Sequence, residues 1–288
     1  MTLKGRGVLI TGASLGLGRA ISEFCVAEGA DVFLCARGAE DLERVRVLLA
    51  AKAAPGQKVL ALAADVSKPA QAKRLMNAAL QALPNLQGLV NCAGIYGPPG
   101  PLDEVDWAEW VKTIEINLFG TVLLCQAALP LFRKRGYGKI VNLSGGGASG
   151  PLPRMSAYAA SKGAIVHFTE TLAHELKGSG IDVNALAPGP LNTRLLDQIL
   201  AAGPQKVGAD FHAKSLKQKK DGGAPLEAGA GLCAFLLSAA SDGITGRLIS
   251  AQWDPWKTLS SRRRELEAGD VYTLRRIVPK DRGLEWGS

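Results

Sequence analysis

Short apolar runs alternate with amphipathic helical stretches along most of this 288-residue chain, and that alternation leaves few folds open. The runs fall near 6–11, 31–36, 58–63, 88–92, 138–143, 181–187 and 246–251. Helical periodicity fills the intervals, notably 16–28, 39–53, 69–83, 104–135 with a break, 156–178 and 225–238. Strand, helix and strand in repeated succession is the pattern of a parallel sheet covered on both faces. Right-handed crossovers then give a doubly wound α/β sheet of seven strands, with ligands beyond the carboxyl ends of those strands. There is no internal repeat or low-complexity tract, and α/β folds of this length are routinely single domains. Residues 1–251 read as one Rossmann-type catalytic domain, and 252–288 as a C-terminal extension that packs on the core or on a neighbouring subunit.

A hydrophobic content of 47% with 21% charged residues describes a soluble protein with ample core. No apolar run approaches a membrane span, and Lys4-Gly5-Arg6 leads straight into the first strand, so a cytoplasmic location without membrane contact is expected. Five cysteines (Cys25, Cys35, Cys92, Cys125, Cys233) lie in apolar segments and read as buried reduced thiols. They lack paired metal spacing, and His167 and His174 sit on a helix seven residues apart, so no metal site is expected. The net charge of +8 concentrates in Lys214, Lys217, Lys219 and Lys220 and in Arg262-Arg263-Arg264. Neither cluster interleaves aromatic residues as a stacking platform does, so solvated basic faces are expected and no nucleic-acid partner.

Two motifs carry chemistry. Val8-Leu9-Ile10-Thr11 reads as a buried strand and Arg19 to Glu28 as a helix, with glycines between them. Gly12 permits a tight turn, Gly16 lets backbone approach a ligand, and Gly18 lets helix and strand pack closely. The free N–H groups and positive dipole of the helix start suit a pyrophosphate. The second motif is Tyr158-Ala159-Ala160-Ser161-Lys162, which puts a phenol and an ammonium one helical turn apart on the same face. A free tyrosine has a pKa of about 10; a nearby cation favours the phenolate and lowers it, which makes the pair a proton-transfer device.

With Asp65-Val66, Asn91-Cys92-Ala93-Gly94, Asn117, Ile140-Val141-Asn142-Leu143-Ser144 and Pro188-Gly189, these motifs resemble the short-chain dehydrogenase/reductase family over roughly residues 4 to 251. The resemblance implies an oxidoreductase that interconverts a ketone and a secondary alcohol. In it Tyr158 exchanges the proton, Lys162 lowers the phenol pKa and bonds the nicotinamide ribose, and Asn117 holds a water beside Lys162. It also implies cofactor contacts from Gly12, Ser14, Leu15, Gly16, Leu17, Asp65 and Val66 at the adenosine and pyrophosphate end. Asn91, Ala93, Gly94, Pro188, Gly189 and Thr193 follow along the nicotinamide half, where Asn91 has more of a structural than a chemical role. Thr193 alternatively caps the following helix. Where NAD-preferring relatives carry an acid this chain has Ala36, followed by Arg37, whose guanidinium suits a 2′-phosphate. NADP(H) is therefore favoured, with NAD(H) open. A nucleotide-sensing or regulatory protein on the same fold is the alternative function.

Four expectations depart from the family pattern or leave choices open. Relatives place a serine thirteen residues before the tyrosine; here that residue is Gly145, and Ser144 is the expected substitute, ahead of Ser149 and Ser156. Gly97-Pro98-Pro99-Gly100-Pro101 and Leu152-Pro153-Arg154-Met155 would border a substrate pocket. Their mixture of apolar surface with one cation leaves sugar or polyol, 3-oxoacyl thioester and hydrophobic ketone all open. Apolar residues on more than one face of 104–135 (Val122, Leu123, Leu124, Leu129, Phe132) and 156–178 (Ile165, Val166, Phe168, Leu172) predict a homodimer or homotetramer. Beyond Trp253-Asp254-Pro255-Trp256 the extension is too apolar for a disordered tail and is expected to be buried, either as a lid whose arginines meet an anionic substrate or as an oligomer-stabilising arm.

Overall fold

The computed structural model describes residues 3–286. Among them, seven parallel strands form one sheet in the order β3-β2-β1-β4-β5-β6-β7: β1 (Gly7–Thr11), β2 (Asp31–Ala36), β3 (Val59–Ala63), β4 (Leu86–Asn91), β5 (Gly138–Leu143), β6 (Ile181–Ala187) and β7 (Leu248–Ser250). The order reverses between β1 and β4, so the loops leaving those two strands part and open a crevice at their carboxyl ends. Each central strand is buried along its length, which is why the sequence shows continuous apolar runs and not alternation.

The crossovers supply the two outer layers. On one face α1 (Gly16–Ala27), α2 (Ala39–Ala50) and α9 (Leu226–Leu237) pack through Ile21, Cys25, Leu42, Val45, Leu232 and Leu236. On the other lie α3 (Pro69–Ala82), α5 (Gly120–Arg135) and α6 (Ser156–Glu175), with Leu75, Met76, Leu124, Phe132 and Leu172 in that core. The break expected in 104–135 is a π-helical turn, Glu115–Phe119, between α4 (Trp107–Ile114) and α5. Two helices absent from the expected set, α7 (Arg194–Val207) and α8 (Ala209–Asp221), follow β6 and rise over the carboxyl edge.

The continuous helical rod 107–135 corrects one expectation: it is 29 residues long and contains an 18-residue stretch with a mean hydropathy of 1.5, enough by length and composition to cross a membrane. Charged residues at both ends concealed this in the sequence. Its apolarity has a local cause, because α5 packs on α3, β4 and β5 and buries Leu124, Cys125, Ala128 and Phe132 there. Val122, Leu123 and Leu129, with Phe168 on α6, are only half-buried, and Phe119 is half-exposed.

The extension packs against its own core beside β7. Leu259 and Leu266 join the α1/α9 core, with Trp256 tilted on Phe235. The Leu248 amide donates to the Tyr272 carbonyl at 2.8 Å, which covers the outer edge of the sheet. Buried Arg247 donates to the carbonyls of Gly269 (3.1 Å), Val271 (2.9 Å) and Leu266. Among the described residues, none beyond Trp253 lines the cleft. Of the arginines expected to meet a substrate (Arg262, Arg263, Arg264, Arg275 and Arg276), three are engaged within the fold: Arg275 with Asp270 and Asp281, Arg262 with Glu265, Arg263 with the Ala240 carbonyl. Burial is also partial, since Trp253, Val271, Ile277 and Trp286 remain exposed. Arg247→Ala is expected to destabilise by about 2–3 kcal/mol, because three charge-assisted bonds go and their carbonyls lose a donor. KM should stay unchanged; a thermal melt and a kinetic assay together check this.

Candidate active site

The glycine-rich turn is held by sterics and by one hydroxyl. Gly12 (φ 66°) and Gly16 (φ 53°) occupy the left-handed region, and a Cβ on Gly18 would lie 2.2 Å from the Gly12 carbonyl oxygen. The Thr11 hydroxyl accepts from the amides of Cys92 (3.0 Å) and Ala93 (3.1 Å), which locks the exits of β1 and β4 together. A Cβ on Gly12 would meet Ala93 backbone at 3.0 Å. The result is a crevice floored by backbone alone, opening onto the start of α1.

A single cavity of about 640 Å3 runs from this crevice to Tyr158. Gly12, Ser14, Leu15, Gly16, Leu17, Arg37, Val66, Ala93, Gly94, Pro188, Gly189 and Thr193 all line it. Asp65 and Asn91 stand behind its wall. The Asp65 carboxylate accepts from the Ser67 amide (3.0 Å) and hydroxyl (2.7 Å). Burial pushes that carboxyl up, but the Ser67 bonds and the charges of Arg37 and Lys68 outweigh it and hold it below the usual range. Asn91 donates to Asn142 Oδ1 at 2.9 Å across β4 and β5. Thr193 stands at the N-terminus of α7, yet its side chain makes no capping bond; its methyl lies 3.3 Å from where a Cβ on Gly16 would be. Side chains at Gly12 or Gly18 would strike neighbouring backbone, so these glycines fix the shape of the turn that a dinucleotide would meet.

At the other end, α6 presents Tyr158 and Lys162 to the cavity. Lys162 Nζ donates to the Leu143 carbonyl at 2.7 Å and lies 5.6 Å from the centre of the Tyr158 ring. Tyr96 packs edge-on to that ring, with centroids 4.6 Å apart. Burial pulls Lys162 down to about 8, with Cys92 nearby opposing the shift. The expected lowering of the Tyr158 phenol by Lys162 is overturned: burial raises it well above the ordinary phenol value, reinforced by Tyr96 and Cys92, so the phenol holds its proton at neutral pH. Asn117, fully buried in the π turn, donates to the Ile95 carbonyl and to Ser161 Oγ and accepts from the Ile95 amide, each at 2.9 Å. It ties the β4 exit loop to α6 one residue before Lys162, a positioning role the sequence reading did not assign.

The serine region is divided between two residues. Ser144 lines the cavity and is buried, and its hydroxyl has no hydrogen-bond partner. Gly145 faces the phenol: a Cβ there would lie 2.3 Å from Tyr158 Oη. Two further features escaped the sequence reading. Tyr96 flanks the phenol, and Leu196, Ile199 and Phe211 descend from α7 and α8, whose amphipathic spacing over 194–221 was the available signal. Arg154 departs from expectation, because it donates to the Gln205 carbonyl at 2.7 Å and is not among the cavity's lining residues.

The family model for short chain dehydrogenases matches residues 6–202. The chain is a short-chain dehydrogenase/reductase. Levodione reductase of Leifsonia aquatica is 35% identical over 81% of this chain and 87% of its own. The 3beta-hydroxysteroid dehydrogenase 1 of Eggerthella lenta is 38% identical over 66% of this chain and 72% of its own. Among solved structures, a levodione reductase superposes with a TM-score of 0.78 at 31% identity, covering 90% of this chain and 98% of that one. A candidate NAD(P)-dependent gluconate 5-dehydrogenase from Beutenbergia cavernae, with NADP bound at low occupancy, gives 0.76 at 29% identity over 87% and 96%. As a short-chain dehydrogenase/reductase, the chain is an oxidoreductase of alcohol and carbonyl groups that uses a nicotinamide dinucleotide.

Proposed function

We propose that this enzyme is an NADP(H)-dependent reductase of ketones, with the reverse oxidation available, and that Tyr158 is its general acid/base. The observation that carries the reading is the buried phenol at the end of a dinucleotide-sized cleft, one turn from a buried ammonium. The cleft between the Gly12–Gly16 turn and Lys162 would hold the dinucleotide, which would supply hydride to the carbonyl carbon. Tyr158 gives its proton to the carbonyl oxygen, and Lys162, held by the Leu143 carbonyl, stabilises the negative charge left on the phenolate. The unpartnered Ser144 hydroxyl supplies a second donor to that oxygen. Because burial keeps the phenol protonated, Tyr158 holds the proton that carbonyl reduction consumes. A fluorescence-monitored screen of NADPH oxidation across carbonyl compounds tests this; NADPH binding without turnover of any carbonyl favours the nucleotide-sensing alternative.

The NADP(H) preference rests on Ala36 and Arg37 at the end of β2, where no carboxylate stands to repel a phosphate and the exposed guanidinium lines the cavity. Arg37→Ala is expected to weaken NADPH binding by about 1.5–3 kcal/mol, roughly 10- to 150-fold, and to leave NADH unchanged. Equal losses for both, by fluorescence titration, would assign Arg37 to stacking. A homodimer or homotetramer is proposed through the half-buried Val122, Leu123, Leu129 and Phe168, and a cytoplasmic location through the five free thiols.

A further inference from the structure

We infer that the substrate is an uncharged and largely apolar ketone, ring ketones included, or the matching secondary alcohol, and neither a sugar nor an acyl thioester; this rests on the oxidoreductase reading above. The distribution of charge along the cavity is the first ground. Its charged lining residues are Arg37, Asp41, Lys162 and Arg194. Arg37 and Asp41 stand at the end of β2 and the start of α2, the adenosine end. Arg194 opens α7 after Thr193 and is exposed to solvent. Lys162 is bonded to the Leu143 carbonyl beneath the phenol. Lys162 is thus the one buried charged side chain among the cavity's described lining residues, and its ammonium is already bonded to a carbonyl, so a carboxylate or phosphate beside Tyr158 meets no free buried cation. Arg154, the cation the sequence places at this border, is bonded to the Gln205 carbonyl instead.

The second ground is what forms the wall. Tyr96 stands edge-on to Tyr158, and Leu152, Leu196, Ile199 and Phe211 complete the surface, with Met155 and Val207 packed behind them. Polar groups on this side are neutral and few: Ser149, Ser215 and Gln218, the last already donating to Asn192. A polyhydroxylated substrate would bury more hydroxyls than the wall has partners for, and each unpaired one weakens binding. A ring ketone needs one polar anchor, its carbonyl oxygen, and Tyr158 with Ser144 provides it. Hydride and proton from holoenzyme then balance the reduction to the alcohol, leaving oxidised dinucleotide.

The test compares kcat/KM of the NADPH holoenzyme for neutral ring ketones of the cyclohexanone and aryl ketone type, for ketoses, and for a 3-oxoacyl thioester. Ring ketones should exceed both others at least about 100-fold. Phe211→Ser and Leu152→Ser should each raise KM for the ring ketone about tenfold or more while the Kd for NADPH, which also reports folding, holds. A ketose or thioester with the higher kcat/KM, or unchanged KM in both variants, overturns the inference. Calorimetry on the Tyr158→Phe–NADPH complex separates the two readings. Ring ketones that bind there although native enzyme turns over no carbonyl overturn the oxidoreductase reading and keep the pocket's preference. Ring ketones that fail to bind overturn the preference.

Discussion

Tyr158→Phe is expected to lower kcat for ketone reduction by about 10²–10⁴-fold, the range typical of losing a general acid, while the Kd for NADPH stays within about twofold. Phenylalanine keeps the ring packed against Tyr96 and removes only the oxygen that gives up the proton. Stopped-flow turnover and fluorescence titration read the two quantities separately. Lys162→Ala should harm both, because the ammonium serves the phenol and stands at the nicotinamide end of the cleft. The pH profile follows from the same pair. Lys162 is brought down to about 8 by burial, so it is charged below that pH and neutral above it. Its charge favours the phenolate that forms as the proton leaves. Reduction should therefore be level through neutral pH and decline as pH rises through about 8, whereas the raised Tyr158 keeps the acid itself protonated over that span. Appreciable turnover by the phenylalanine variant, or a profile with no fall, would contradict this assignment.

What was legible in the sequence was whatever depends on periodicity and spacing. The sheet and its crossovers were readable because buried strands must be apolar and glycine must stand where backbone crowds backbone, as at Gly12 and Gly18. The Tyr158/Lys162 pair was readable because four residues on a helix fix a common face. Three things were not. The positioning bonds of Asn117 depend on a π turn, which has no compositional mark. The substrate wall on α7 and α8 depends on where two helices broken at Gly203 and Gly208 come to rest, which local pattern does not fix. The extension misled by its composition: its tryptophans and isoleucine suggested full burial, whereas two leucines and the Arg247 bonds anchor it and much of the rest stays exposed.

Gly145→Ser, the change that puts a serine at the family's usual position, is expected to reduce activity and not to improve it. A Cβ at residue 145 would sit 2.3 Å from Tyr158 Oη and 3.2 Å from its Cζ, well inside the distance real side chains adopt. Either the phenol or the backbone has to move. Tyr158 has little freedom, since it is only 8% exposed and abuts Tyr96. A displacement near 1 Å at the proton donor costs on the order of 100-fold in rate. Gly145→Ala and Gly145→Ser should therefore lower kcat by about 10- to 100-fold with NADPH binding intact, and overpacking should cost about 1–3 kcal/mol of stability. The Phe background isolates the cause. Removing Oη leaves Cζ as the nearest atom, so Gly145→Ala should destabilise Tyr158→Phe much less than it destabilises native enzyme, a coupling a double-mutant cycle of melting temperatures reads directly. Equal destabilisation in both backgrounds would show that residue 145 is glycine for a reason of its own backbone. A gain in kcat from Gly145→Ser would show that the phenol yields easily and that the enzyme lacks a donor Ser144 does not replace.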